Sequence, residues 1–538
     1  MNSSPLLLLQ HLSAWIYYIP LAVLSLMGVW FVWHFITFLI TFLKYRHIPG
    51  HVSFLPAVID SMLHKRVYIY HQYICTLEAY KRHPEASIIK LQFGSVCTLI
   101  VARDKTLLKE LLVKNYKSIS KGDVLAPVGL FGNNMFSADS SDPLWKKHRT
   151  LSNPIFTGAA HLRNVFRVTI EETNKMLEFW KRIYRVNEKS GAIEKVNVTN
   201  EFKSVTLSII NRVAFDYDIH IFDNDVKHRD ALHEWVNDLL KGLLYNFVFP
   251  KACFEYLPFG IFKRFREAKE RFKEAAMSMI ERKQLEKSHE LKDDEDLLSL
   301  LLSSSEAAKE QDQKLSKGEL LSALFIIFFA GFETSSVSLN FMLRMLAKYP
   351  DVQQRIYEEI TSEISSQEEI TYELITEKLH FLSSFMKEVL RTKTPVGGGA
   401  RIVMKKGGET LGGVKYPAGT QFLASYFSMH YFAKNGLDEF KPDRFMPTKS
   451  DSNQVTPDYL NIDFNTDEIL PFSIGPRDCI GKRMALLEMK LILVMLLLQF
   501  RLEVPKGSEE QQDRIEETYI VTRTVMDPYL IDFIPRQQ

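Results

Sequence analysis

Ten consecutive residues near the C-terminus, Phe472-Ser473-Ile474-Gly475-Pro476-Arg477-Asp478-Cys479-Ile480-Gly481, bring together a thiol, a cation, an aromatic ring and paired glycines. From Ile480 onward the chain, through RMALLEMKLILVMLLL, reads as a long apolar helix, so Cys479 stands at or just before a helix N-terminus. Unsatisfied N–H groups and the positive end of the helix dipole lower a thiol's pKa at such a place. The thiolate is the form that binds metal, and haem iron accepts a cysteine thiolate as its proximal ligand. Gly475 permits a tight turn, and Gly481 lets the backbone approach a flat macrocycle. Arg477 can donate to a haem propionate, and Phe472 can shield the sulfur from water. The expected cofactor is haem b, with Cys479 as the ligand of its iron.

A second polar group sits in an apolar setting. Leu320–Leu346 is strongly apolar, yet Glu333, Thr334, Ser335, Ser336, Ser338, Asn340 and Arg344 interrupt it. A charge inside a membrane span is expensive, whereas a helix apolar on nearly all sides suits the centre of a large domain. A buried core helix is therefore expected, in which Glu333 and Thr334 would be costly without a role. Glu388 and Arg391 are three apart and share a helix face, and Pro395 should end that helix near Thr394.

The elements that must position these groups are mostly helical. Helices are expected at Lys65–Arg82, Lys105–Lys114, Asp142–Asn153, Asn164–Tyr184 and Glu201–Phe215. Strand-like runs lie at Ser87–Phe93 and Thr98–Ala102, then at Gly399–Val403, Thr410–Lys415, Gln421–Tyr426 and Tyr519–Phe533. Ser288–Glu319 reads as a polar surface connection with a Leu-rich turn at Leu297–Leu302. Leu243–Phe262, rich in Phe, Tyr, Leu and Pro, is either an exposed patch at a membrane or substrate entrance or ordinary core. Dominant helices with segregated strands give a mainly α fold of α+β type.

With 538 residues, 46% of them hydrophobic, the chain can bury a large core. Lys and Arg total 67 against 65 Asp and Glu, so no global charge excess points to nucleic acid as a partner. The four cysteines match no zinc pattern, and so few thiols suit a reducing compartment. Trp15–Leu43 contains no Asp, Glu, Lys or Arg, and roughly 20 apolar residues suffice to cross a bilayer. Trp15, Tyr17 and Tyr18 at one end and Lys44 and Arg46 at the other resemble an aromatic belt and a positive cytoplasmic flank. The expected organisation is an N-terminal segment at 1–14, a transmembrane anchor helix at 15–43, a linker at 44–56 and a catalytic domain at 57–538. Ile48-Pro49-Gly50 would be the stiff elbow of the linker.

The Phe472–Gly481 segment resembles the haem-binding signature of the cytochrome P-450 family, in its membrane-anchored eukaryotic type. The resemblance covers nearly the whole chain after the elbow. It implies a helix-rich haem domain with a smaller β-rich region. It further implies that Ala330-Gly331 opens a groove for dioxygen, and that Thr334 with Glu333 guides protons toward the iron. Arg444, in Phe440-Lys441-Pro442-Asp443-Arg444-Phe445, would join Glu388 and Arg391 in a structural ion-pair cluster holding the meander Pro447–Leu470 in place. Trp145, Arg149 and Arg401 would bind haem propionates. His430 reads as a core histidine. Lys146, Lys147, Lys482 and Arg483 would form a positive face for an acidic electron donor. Gly397-Gly398-Gly399 departs from the family pattern and would make the pocket roomy or mobile.

The implied activity is a monooxygenase that inserts one oxygen atom of dioxygen into a lipophilic substrate such as a sterol, fatty acid or terpenoid. Electrons would come from NADPH-cytochrome P-450 reductase, with the chain single-pass in the endoplasmic reticulum membrane and its catalytic domain cytosolic. The rival readings are a peroxide isomerase or dehydratase of the same family, and a haem-binding protein without turnover.

Overall fold

The computed structural model describes residues 5–64, 68–223, 226–247, 249, 251–286, 296–307, 314–432, 439–446, 461–510, 517–519, 522–525 and 528–536. The chain divides into two compact units, Met1–Val101 with Thr420–Leu423, and Ala102–Gly419 with Ala424–Gln538.

In the smaller unit, the helix Pro5–Lys44 leads to the strand Gly50–Ser53, the helices Ala57–Leu63 and Tyr68–Arg82, and the hairpin Ile88–Phe93/Val96–Val101. Gly50–Ser53 pairs parallel to Lys90–Phe93, so part of the expected linker is a sheet strand. The last turns of the first helix are tied to the hairpin. Thr41 Oγ1 donates to Ser95 O (3.2 Å), and the Gln92 amide donates to Phe38 O (3.1 Å). Elsewhere on that helix Trp30, Trp33, Ile36 and Ile40 are at least half exposed. Met27–Lys44 is apolar enough to cross a membrane; Lys317–Lys348 passes the same test but is mostly buried.

The larger unit is built on that second helix. A capping box of Ser316 and Glu319 closes its N-terminus. Leu320–Phe329 and Ser335–Ala347 are buried throughout, as expected of a helix apolar all round. Between them, Ala330 is exposed and Gly331 and Thr334 are half-buried. The helix packs along Val198–Phe215, while Lys482–Gln499, buried from Leu486 to Leu497, packs along Ala159–Ile183. The strands Phe500–Glu503, Leu530–Pro535, Ile193–Asn197 and Arg185–Val186 form, in that order, an antiparallel sheet.

Several expected elements take another form. Lys105–Lys114 begins as α-helix to Lys109 and widens into a π turn over Glu110–Lys114. Leu297–Leu302 is not a turn but the start of the helix Leu297–Ala307, because Leu297, Leu298, Leu301 and Leu302 make one buried face. Thr410–Lys415 is not one strand but a hairpin, Glu409–Leu411 against Val414–Tyr416. The helix Gly260–Glu286 was not anticipated, although Phe265, Ala268, Phe272, Ala276 and Ile280 repeat every three or four residues and are buried. Leu243–Phe262 mixes core and exposed apolar residues. Leu243 and Phe254 are core, while Phe247, Phe249, Tyr256 and Phe259 are exposed. Residues 288–295 and 308–313 of the polar connection, and 447–460 of the meander, lie outside the described residues.

Candidate active site

The exposed backbone step of the central helix faces a cavity of about 310 Å³ in the larger unit. Of the four cysteines, only Cys479 lines it. The loop carrying Cys479 is held from several directions. Gly475 adopts φ +80°, where a side chain is strained, and an added Cβ would lie 2.8 Å from the Leu112 carbonyl oxygen in the π turn. The Cys479 N–H donates to Phe472 O (2.9 Å), and Arg149 Nη1 donates to Asp478 O (2.9 Å), its Nη2 to the Asp478 carboxylate. Arg149 thus clamps the residue beside the thiol, from the helix Pro143–Thr157.

Cys479 lies three residues ahead of the helix Lys482–Gln499. Its thiol is not lowered as the helix terminus predicts; burial pushes it up to about 11, against a hydrogen bond from Gly481. The surface that Cys479 exposes is cavity wall.

Three buried cations meet at the same cavity. Arg477 Nη2 donates to Ala138 O (2.6 Å) and stacks over Trp145 at 4.9 Å, while its Nη1 is buried without a partner. Burial, then Arg401, bring its basicity down to about 9. Arg401 is lowered by burial, and Lys121, whose Nζ donates to Phe136 O (2.6 Å), is driven well below the usual lysine range by burial, then Arg477 and Arg401. Such a cluster favours an anionic ligand. Lys121 was missed in the sequence because a lone lysine reads as surface. On the other side of the sulfur, a Cβ added at Gly481 would meet only Phe156, at 4.0 Å.

Thr334 lines the cavity and donates from Oγ1 to Ala330 O (2.8 Å), which leaves the hydroxyl oxygen able to accept. Glu333 is not among the lining residues: its Oε1 accepts from Thr522 (3.1 Å) and its Oε2 is buried without a partner. Two acids do line the cavity: Asp478, held by Arg149, and Glu488, pushed up to about 8 by burial and hydrogen-bonded to Ser335. Glu488 is the one acid in RMALLEMKLILVMLLL, a signal that could have been read. Ala330 and Gly331 both line the cavity, and a Cβ added at Gly331 would meet Ile210 at 2.6 Å. Gly399 serves a close approach rather than mobility, since an added Cβ would lie 2.7 Å from the Tyr426 hydroxyl, which donates to Ser473 (2.7 Å).

The supporting cluster forms as expected. Arg391 makes two 2.8 Å bonds to the fully buried Glu388 carboxylate, and Arg444 Nε joins at 3.1 Å. His430 is buried, and its Nε2 accepts from the Leu470 N–H (2.7 Å) with its basicity pushed down to about 3 by burial. Of the four expected surface cations, Lys147 is paired with Glu319 (2.9 Å) and Lys482 with Asp478 (3.5 Å).

A haem answers the demands of this cavity, with iron for the sulfur, propionates for the cations and a flat face for Gly481, so the protein is of the haem-thiolate class. The Cytochrome P450 family model matches residues 71–529, and the chain belongs to that family. It is a cytochrome P450 monooxygenase whose haem is held by a cysteine thiolate. It is 31% identical to dog cytochrome P450 3A12 over 433 residues, covering 76% of this chain and 78% of that protein. Rat cytochrome P450 3A9 is 27% identical over 430 residues, with the same coverage. The crystal structure of the cytochrome P450DA haem domain shares the fold, with a TM-score of 0.69 at 21% identity, covering 86% of this chain and 93% of that domain.

Proposed function

We propose that Cys479 is the residue that would hold the haem iron and that the enzyme oxygenates lipophilic molecules such as sterols, fatty acids or terpenoids, with electrons from a separate NADPH-dependent reductase. The observation that carries this reading is Cys479 in the wall of a cavity that also presents Thr334 and the unpartnered Nη1 of Arg477. Haem, when bound, supplies the iron that activates dioxygen. Arg477, Arg401 and Lys121 bind its carboxylates, and Arg149 positions the cysteine loop through Asp478. Thr334 offers a hydroxyl oxygen that accepts a hydrogen bond from a proton-bearing group in the cavity while its own O–H stays hydrogen-bonded to Ala330 O. Glu333 stands on the neighbouring helix position, ready to replenish protons through Thr522 rather than from the cavity itself. Phe472 keeps water from the sulfur. Glu488, neutral below about pH 8, keeps a second negative charge out of the wall.

The remaining lining is apolar, with Leu125, Phe136, Ile326, Ile327 and Val396, which supports a lipophilic substrate. The apolar helix ending at Lys44 supports a single-pass anchor at residues 15–43, with the catalytic domain on the cytosolic side of the endoplasmic reticulum membrane. The test is the carbon monoxide spectrum of the reduced protein. Wild type should give the thiolate type, and Cys479→Ala should lose it; a thiolate-type spectrum in Cys479→Ala would overturn the assignment.

A further inference from the structure

We propose that Asp60, His64 and His71 form a zinc-class metal site in the smaller unit, bridging the helices Ala57–Leu63 and Tyr68–Arg82. Their ligand atoms all lie within 4.8 Å of one another. Asp60 and His64 are four apart and share one face at the end of the first helix. His71 comes from the first turn of the next. Asp60 Oδ2 is 2.6 Å from His71 Nε2 and 3.7 Å from His64 Nδ1, which is hydrogen-bonded to the Asp60 carbonyl oxygen at 2.8 Å. The two imidazoles stack at 4.9 Å, and Ser53 Oγ donates to the other oxygen, Asp60 Oδ1, at 2.7 Å. That hydrogen bond orients the carboxylate as outer partners do around known metal ligands.

Two further groups lie beside the cluster. Cys75 lies one helical turn after His71, its Sγ 3.6 Å from His71 Nε2. His51 Nε2 is buried and makes no hydrogen bond, and burial, offset by Asp60, keeps that ring neutral. Two imidazoles and a carboxylate favour zinc over calcium or magnesium, which take oxygen ligands. Tetrahedral zinc with bonds of about 2.0–2.1 Å separates its ligand atoms by about 3.3 Å. The Asp60–His71 pair therefore opens by less than about 1 Å as metal replaces the shared proton. The His64 side chain is 54% exposed, which gives the ion a way in from solvent.

The experiment is a zinc titration of untagged, chelator-stripped full-length holoenzyme against a chromophoric chelator. Wild type is expected to hold one zinc per chain with its haem spectrum unchanged. His64→Ala, a surface change that leaves the fold alone, should weaken binding at least about 10-fold. Asp60→Asn should abolish it, and His83→Ala, on the exposed end of the second helix, should leave it intact. A wild-type protein that binds no zinc, or a His64→Ala protein that binds as tightly as wild type, overturns the site. In either case Asp60 and His71 form only a hydrogen-bonded pair.

Discussion

At Cys479 two physical effects oppose each other, and the outcome depends on the cofactor. The helix terminus favours a thiolate, but removal of the sulfur from water costs more in the protein alone, so the thiol lies above its ordinary range. A bound iron supplies the positive charge that reverses this balance. Thr334 and Glu488 share the cavity with it and yield separate predictions. Thr334→Ala should keep the haem and its spectrum yet divert reducing equivalents into hydrogen peroxide, measured as peroxide released per NADPH consumed; unchanged coupling would remove Thr334 from proton handling. Glu488 has a folded-state pKa of about 8 against an ordinary 4.5, so the folded protein binds the extra proton between those values. Stability attributable to this group therefore falls as pH rises from about 4.5 to about 8. Glu488→Gln is accordingly expected to melt higher than wild type, by a margin that widens across that interval and is level above it. A margin independent of pH would show that Glu488 is ionised in the folded protein.

At the scale of elements, the helix His380–Thr392 is tied to Arg444 by a carboxylate that no water reaches. Glu388→Ala would leave Arg391 buried and Arg444 nearby without their shared anion. Breaking a buried pair from one side costs about 3–5 kcal/mol. The expected readout is a loss of that order in denaturant unfolding, with haem released at lower denaturant; a change under about 1 kcal/mol would mean that solvent or another acid replaces Glu388. The π turn at Glu110–Lys114 acts at the same scale, since its Leu112 carbonyl fills the place a side chain at position 475 would need. π turns recur where a helix must present backbone to a functional loop, and this one backs the cysteine loop.

For the whole molecule, the first helix does two jobs along its length. Its last turns hydrogen-bond to the hairpin Ile88–Val101, and its outer residues stay apolar and exposed. Deleting residues 1–29 leaves about 15 helical residues, too few to span a bilayer of roughly 30 Å, while keeping His34, Phe38 and Thr41. That protein should leave the membrane pellet on alkaline washing and keep its melting temperature. Deleting 1–43 should also release it, but with a lower melting temperature, because Thr41 no longer caps Ser95 and Gln92 loses Phe38 O. Equal melting temperatures for the two truncations would mean that these bonds contribute nothing to the smaller unit.

Local patterns in the chain were enough to single out Cys479, the buried central helix and the Glu388–Arg391 pair, because each depends on residue type at short spacing, whereas the place of Arg444 in the cluster came from the family resemblance. An apolar run with few charges must be buried, and a glycine-flanked cysteine before a helix must present its sulfur, whatever surrounds them. Only the tertiary structure decided which groups reach the cavity. Glu333 and Thr334 are adjacent in sequence, yet successive helix positions diverge by about 100°, so one meets Thr522 and the other the cavity. Lys121 is far from Arg477 and Glu488 along the chain, and only folding brings the three to one cavity, where burial sets their charge.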